Sequence, residues 1–130
     1  MTDATLVADV DGVSVPTGHL IGGVWVGSPT TFESRSPLGW DDMLLANVAR
    51  GDAGTAAAAV GAAVEGFTTW GRYSRAERAE VLHRLADLIE ANNEQIAHVE
   101  CLDMGFLQES MKLRLVARGA VNFRLYADLI

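Results

Sequence analysis

The chain has 130 residues, 49% of them apolar, and 17 acidic against 10 basic side chains give a net charge of −7. That composition is globular, not disordered, and the size is one domain's worth at most. The acidity argues against the counterion-release binding by which nucleic acids and anionic membranes are held. The imbalance sits in residues 1–70, with 2 basic and 8 acidic groups, whereas residues 71–130 hold 8 and 9. Cys101 is the single cysteine, so no internal disulfide can form and a reducing cytoplasm is the expected location. The longest apolar stretch, Ala56 to Val64, is far shorter than the roughly 20 residues a spanning helix needs.

Residues 1–18 read as an irregular leader, within which Asp11-Gly12 between Val10 and Val13 is a short hairpin signal. Ile21-Gly22-Gly23-Val24 is a stronger one, because Gly-Gly supplies positive φ at a two-residue turn, and Trp25 and Val26 continue the strand. Gly27-Ser28-Pro29 breaks it. Thr30 to Arg35 reads as another strand, Pro37-Leu38-Gly39 as a turn, and Met43 to Val48 as a third strand-like run.

After Gly51 the apolar period lengthens. Asp52 is a plausible N-cap for a small-residue helix running past Ala56, Val60 and Ala63 to Phe67, able to pack close to a neighbour. Ser74-Arg75-Ala76-Glu77 is a capping box, and behind it Leu82, Leu85, Ala86 and Ile89 form one apolar face. Asn92 and Asn93 interrupt, and a shorter helix runs through Ile96, Val99 and Leu102 to a stop at Gly105. The last helix, 107–130, carries the cleanest stripe: Leu113, Val116, Ala120, Phe123, Ala127 and Ile130. It meets the chain end in mid-stripe, which reads as a cut.

The catalytic inventory is poor. There is no G-x-G-x-x-G and no phosphate-binding G-x-x-x-x-G-K, and His19, His83 and His98 beside one cysteine make no zinc pattern. Cys101 lies inside a helix with no basic sequence neighbour to lower its pKa, so it reads as a packed thiol and not a nucleophile. Glu77, Glu80, Asp87, Glu90 and Glu94 read as a solvated acidic face.

Several segments nevertheless resemble one family in register. Leu20-Ile21-Gly22-Gly23-Val24-Trp25-Val26 is similar to the opening hairpin of aldehyde dehydrogenases, and Thr31 to Pro37 to the strand that follows, which in the family ends in Asn-Pro. Gly51-Asp52-Ala53 resembles the start of the next helix, and Phe67 to Trp70 its aromatic exit. Ser74 to Ile89 is the most family-like stretch. Glu100-Cys101-Leu102-Asp103-Met104-Gly105 matches the family's Glu-x-x-Asp-x-Gly, and Asn122 to Ala127 the end of its next helix. The chain departs at Ser36, where Asn usually precedes Pro37, at Met104, where Asn usually follows the Asp, and between Pro37 and Asp52, which is two residues longer.

The resemblance covers residues 19–130 and implies an α+β segment, short N-terminal β-hairpins followed by three to four helices. It would form the N-terminal part of the α/β aldehyde dehydrogenase fold and an incomplete portion of its cofactor-binding domain. Its reaction would be oxidation of an aldehyde to an acid with NAD or NADP in the complete enzyme. The catalytic Cys, the Glu base and the dinucleotide loops fall outside the matched segment, so no cofactor is expected on this chain alone. The expected partners are the rest of the polypeptide or copies of itself, in a homo-oligomer, with no nucleic acid and no membrane. An alternative is a non-catalytic interaction module derived from the family. An unrelated small helical regulator fits poorly with the acidity and the early strands.

Two sites follow by resemblance. The Ser34 and Arg35 carbonyls with the Asp103 carboxylate match a monovalent-cation site, oxygen donors suited to a hard cation. Arg114 and Arg118 match positions lining the substrate entrance. They stand at i and i+4 with no acidic residue three or four places away, unlike Arg124 with Asp128 or Lys112 with Glu109. A guanidinium fork matches a carboxylate, so the expected substrate is a carboxylated semialdehyde, with Arg118 the better candidate.

Overall fold

The computed structural model describes residues 6–39 and 42–130. The chain divides into two compact units, Met1–Thr69 and Trp70–Ile130, each with its own construction.

The first unit is built from three antiparallel strand pairs. Strands β1 (Val7–Val10) and β2 (Val13–Pro16) make an ordered hairpin inside the segment expected to be an irregular leader. Its turn places Asp11 at φ 50° and Gly12 at φ 84°, and the Asp9 carboxylate accepts from the Gly12 amide at 3.0 Å. That local bond offsets the steric cost of a left-handed Asp. Strands β3 (His19–Ile21) and β4 (Val24–Val26) are joined by Gly22 and Gly23, both at positive φ, with Leu20 opposite Trp25. Strands β5 (Thr31–Arg35) and β6 (Leu44–Ala49) pair with a register shift between Ser34 and Arg35. The Ser36 hydroxyl accepts from the Leu38 amide at 3.4 Å, the turn-making role the Asn of Asn-Pro would fill. Residues 40 and 41, in the lengthened turn, lie outside the described residues. Val10, Leu45, Ala46 and Ala49 are buried, and the Ala49 amide donates to the Thr17 carbonyl at 2.8 Å, which ties the leader to β6.

Helix α1 (Ala53–Trp70) follows. Asp52 caps it, its Oδ1 accepting from the Thr55 amide at 2.8 Å and the Thr55 hydroxyl at 2.9 Å. Those bonds, the amide's first, pull the Asp52 carboxyl below its ordinary pKa. Its close approach is to the β3–β4 turn, where Ala62 comes against Gly22, and Thr55 and Ala62 are half-buried. None of its residues is buried, and Val60, Val64 and Phe67 are exposed.

The second unit is helical. In α2 (Arg75–Ala91) the capping box is complete, with the Ser74 hydroxyl accepting from the Glu77 amide and the Ser74 amide donating to Glu77 Oε2 at 2.7 Å. The chain breaks at Asn92 and resumes as α3 (Asn93–Met104), which Gly105 ends at φ 72° while donating to the Cys101 carbonyl. Only glycine takes this left-handed position without steric cost.

The last helix is not the continuous α-helix that its stripe predicts. A short α4 (Gln108–Ser110) passes into a π-helical segment, Met111–Val116, and only then into α5 (Ala117–Leu129). A π-turn takes one residue more than an α-turn. Met111 and Val116, five apart, are therefore both buried, with Ala120 and Ala127 continuing the line. Leu113, expected in the core, is 69% exposed, and Met111, absent from the expected stripe, is 1% exposed. Met111, Val116 and Ala97 form the core cluster, with Ile89 and Ile96 packed against it.

Candidate functional site

The structure sorts the four basic side chains of residues 107–130 into held and unheld. Arg124 on α5 reaches α2, its Nη2 donating to Glu90 Oε2 at 2.6 Å and to Asp87 Oδ1 at 2.8 Å. The bond to Glu90 and then that to Asp87 push its pKa further above the ordinary arginine value. Lys112 Nζ donates to Glu94 Oε1 at 3.1 Å. The sequence-local pairs, Arg124 with Asp128 and Lys112 with Glu109, are not the ones formed, and Asp128 Oδ1 stands 3.3 Å from His83 Nε2 instead. Asp87, Glu90 and Glu94 are thus not a free solvated face, since each holds a cation from another segment.

Arg114, inside the π-segment, and Arg118, in the first turn of α5, are both exposed. Among the described residues neither guanidinium has a hydrogen bond or ion pair, which leaves the forks open to an anion from outside. The like-charge pair costs a few tenths of a kcal/mol on an isolated helix, so an external anion would relieve it. Beside the π-segment opens a groove of about 310 Å³, chiefly apolar, lined by Ile89, Ile96, Met111, Leu115, Val116 and the single charged side chain Glu100.

A feature that sequence reading missed lies against the π-segment. Asn93 read only as a helix interruption, yet its Nδ2 donates to the Lys112 carbonyl at 3.1 Å, and its Oδ1 is buried without a partner among the described residues. Nothing local announces a bond to a residue 19 positions away. The five-residue spacing of Met111 and Val116 was the one available signal of the π-turn.

The other candidates stand on other segments of the chain. Ser34 and Arg35 belong to the first unit and Asp103 to the second. Arg35 is tied down by Glu33, Nη2 to Oε2 at 2.8 Å, and by the Asp42 carbonyl at 2.7 Å from Nη1. Its pKa is raised, first by the Glu33 hydrogen bond. Cys101 is half-buried in α3. Among the described residues His19 Nε2 is buried without a partner. Among the described residues no group of three or more His, Cys, Asp and Glu could hold a metal ion, and no helix is long and apolar enough to cross a membrane.

Comparison with known proteins agrees with this architecture. The sequence model of the aldehyde dehydrogenase family matches residues 25–130. The 2-hydroxymuconic semialdehyde dehydrogenase of Pseudomonas sp. (strain CF600) is 38% identical over 117 residues, covering 86% of this chain and 23% of its own length. The 5-carboxymethyl-2-hydroxymuconate semialdehyde dehydrogenase of Escherichia coli is 33% identical, covering 85% of this chain and 23% of its own. Among solved structures, the indole-3-acetaldehyde dehydrogenase AldA of P. syringae, in complex with NAD⁺ and IAA, superposes with a TM-score of 0.87 at 30% identity. It covers 93% of this chain and 25% of its own. The chain belongs to the aldehyde dehydrogenase family, as an N-terminal segment of short strand pairs followed by helices. It spans about a quarter of the length of the relatives it matches.

Proposed function

We propose that this segment contributes to an NAD(P)-dependent aldehyde dehydrogenase that oxidises a semialdehyde carrying a carboxylate, and that Arg118, with Arg114 beside it, meets that carboxylate. The observation that carries the reading is the contrast along one helix. Lys112 and Arg124 are satisfied by acids from other helices, while the two arginines between them have no partner among the described residues. Two relatives whose names specify carboxylated semialdehydes support the substrate class.

In this reading residues 19–130 belong to the cofactor-binding domain of a cytoplasmic homo-oligomer. The segment by itself oxidises no aldehyde, because the nucleophilic cysteine, the glutamate base and the dinucleotide loops implied by the family have no counterpart in it. NAD or NADP would accept the hydride in the complete enzyme, and no residue here is assigned to holding it.

The test of substrate charge is Arg118→Met in the complete enzyme. We expect kcat/KM for a carboxylated aldehyde to fall about tenfold or more, the scale of a lost charge-assisted hydrogen bond, with a neutral aldehyde unaffected. An equal fall for both would show that Arg118 does not read the substrate's charge. An alternative, a non-catalytic interaction module, draws on the exposed apolar side of α1 at Val60, Val64 and Phe67. Wild-type turnover of the complete polypeptide decides against it.

A further inference from the structure

The helix bearing the two arginines depends on a turn that an α-helix would not make unaided. A π-segment is rare and occurs mostly as a single turn set inside an α-helix, so contacts from outside it bear on whether it persists. In Met111–Val116 the extra residue sets which side chains face the core, Met111 instead of Leu113. It also sets the direction of everything on that turn relative to α5. Arg114 lies within the π-segment and Arg118 two residues beyond it. Relaxation to α would rotate Arg114 relative to Arg118 and change where their forks stand.

What props the turn is the start of α3. Asn93 Nδ2 donates to the Lys112 carbonyl at 3.1 Å, and the next residue, Glu94, takes the Lys112 ammonium at 3.1 Å. Lys112 is therefore gripped at both ends, backbone and side chain, by two consecutive residues. The Asn93 bond is the more telling. It is partly buried, and it leaves Oδ1 buried with no partner among the described residues. A buried unsatisfied acceptor is costly, and an apolar side chain of the same size would avoid it. Packing alone does not account for an asparagine here, whereas a need for its donor does.

We propose that Asn93 is a positioning residue for substrate selection: by holding the Lys112 carbonyl it maintains the π-turn and so fixes where the forks of Arg114 and Arg118 stand. This rests on the reading that Arg118 meets a substrate carboxylate, and the experiment separates the two.

The complete enzyme is prepared with Asn93→Leu, with Arg118→Met and with both, and each is assayed on a carboxylated and on a neutral aldehyde. Asn93→Leu removes the donor and the orphaned acceptor together at similar volume. Its KM for the carboxylated aldehyde should rise about fivefold, the scale of one hydrogen bond, with kcat and the neutral aldehyde's kcat/KM unchanged. In the Arg118→Met background Asn93→Leu should not change the carboxylated-to-neutral ratio further, because it acts through that arginine. If Asn93→Leu is insoluble, Asn93→Gln, which displaces the donor by one methylene, carries the same expectations. If Arg118→Met shifts the ratio and the Asn93 variant does not, Asn93 has no positioning role and the substrate reading survives. An equal loss on both aldehydes in the Asn93 variant would reduce it to a structural residue. If Arg118→Met leaves the ratio unchanged, both proposals fall.

Discussion

Arg124 and Glu90, 34 residues apart in sequence, meet as fork and carboxylate: Nη2 lies 2.6 Å from Oε2 and Nε 3.4 Å from Oε1. With Asp87 accepting from the same Nη2, this clamp fastens α5 across α2. The groups are half-exposed, so salt should screen them. Arg124→Met should lower the thermal midpoint of the complete enzyme, and the decrease should shrink in 1 M salt. Glu90→Gln should add little in the Arg124→Met background. Asp128→Asn, which alters the local pair that is not formed, should be milder than Glu90→Gln. The reverse order would mean that Arg124 pairs along its own helix.

The π-turn makes a sharper claim, because it exchanges two apolar residues between core and solvent. Met111→Ala should cost about 2–4 kcal/mol, the usual range for a truncated core side chain. Leu113→Ala should stay within about 0.5 kcal/mol of wild type. Chemical denaturation of both variants measures it. A larger loss at Leu113 would show a continuous α-helix in place of the π-turn.

The capping box gives the protein an acid-sensitive contact. Glu77 accepts from the Ser74 amide and then from its hydroxyl, which holds its carboxyl below the ordinary value of 4.5. The folded state thus binds this proton less readily than the unfolded one. The resulting stabilisation is complete above 4.5 and is lost as pH falls toward and through the lower folded value. Glu77→Ala should destabilise at neutral pH and flatten the loss of stability below pH 4.5. Ser74→Ala should cost about 1 kcal/mol. Unfolding followed across pH 3–7 checks both, and an unchanged acid limb in Glu77→Ala would rule out this contact as its source.

The 130-residue chain by itself should self-associate. Phe67, Leu107, Leu113 and Leu129 are 69–77% exposed, more apolar surface than monomers usually leave open. Light scattering should give a mass above 13.9 kDa that rises with concentration. A constant monomer mass would show that these residues tolerate water as single exposed side chains do.

What the amino-acid order determined by itself was everything decided within about four residues. Gly22-Gly23 and Asp11-Gly12 make their turns because positive φ is a property of those residues. Ser74 and Glu77 close their box, and Gly105 ends α3, through bonds between near neighbours. The family resemblance was legible for the same reason, since such signals recur in fixed order. Three features were settled only in the folded chain. Met111 displaces Leu113 because the period of a helix can stretch when outside bonds support it, whereas a stripe read from sequence assumes a constant turn. Arg124 bypasses Asp128 because Asp87 and Glu90 come within reach only when α5 lies against α2. Asn93 finds the Lys112 carbonyl across 19 residues, and whether a buried amide gains a partner there depends on the packing of α3 against the π-turn, which no local propensity encodes.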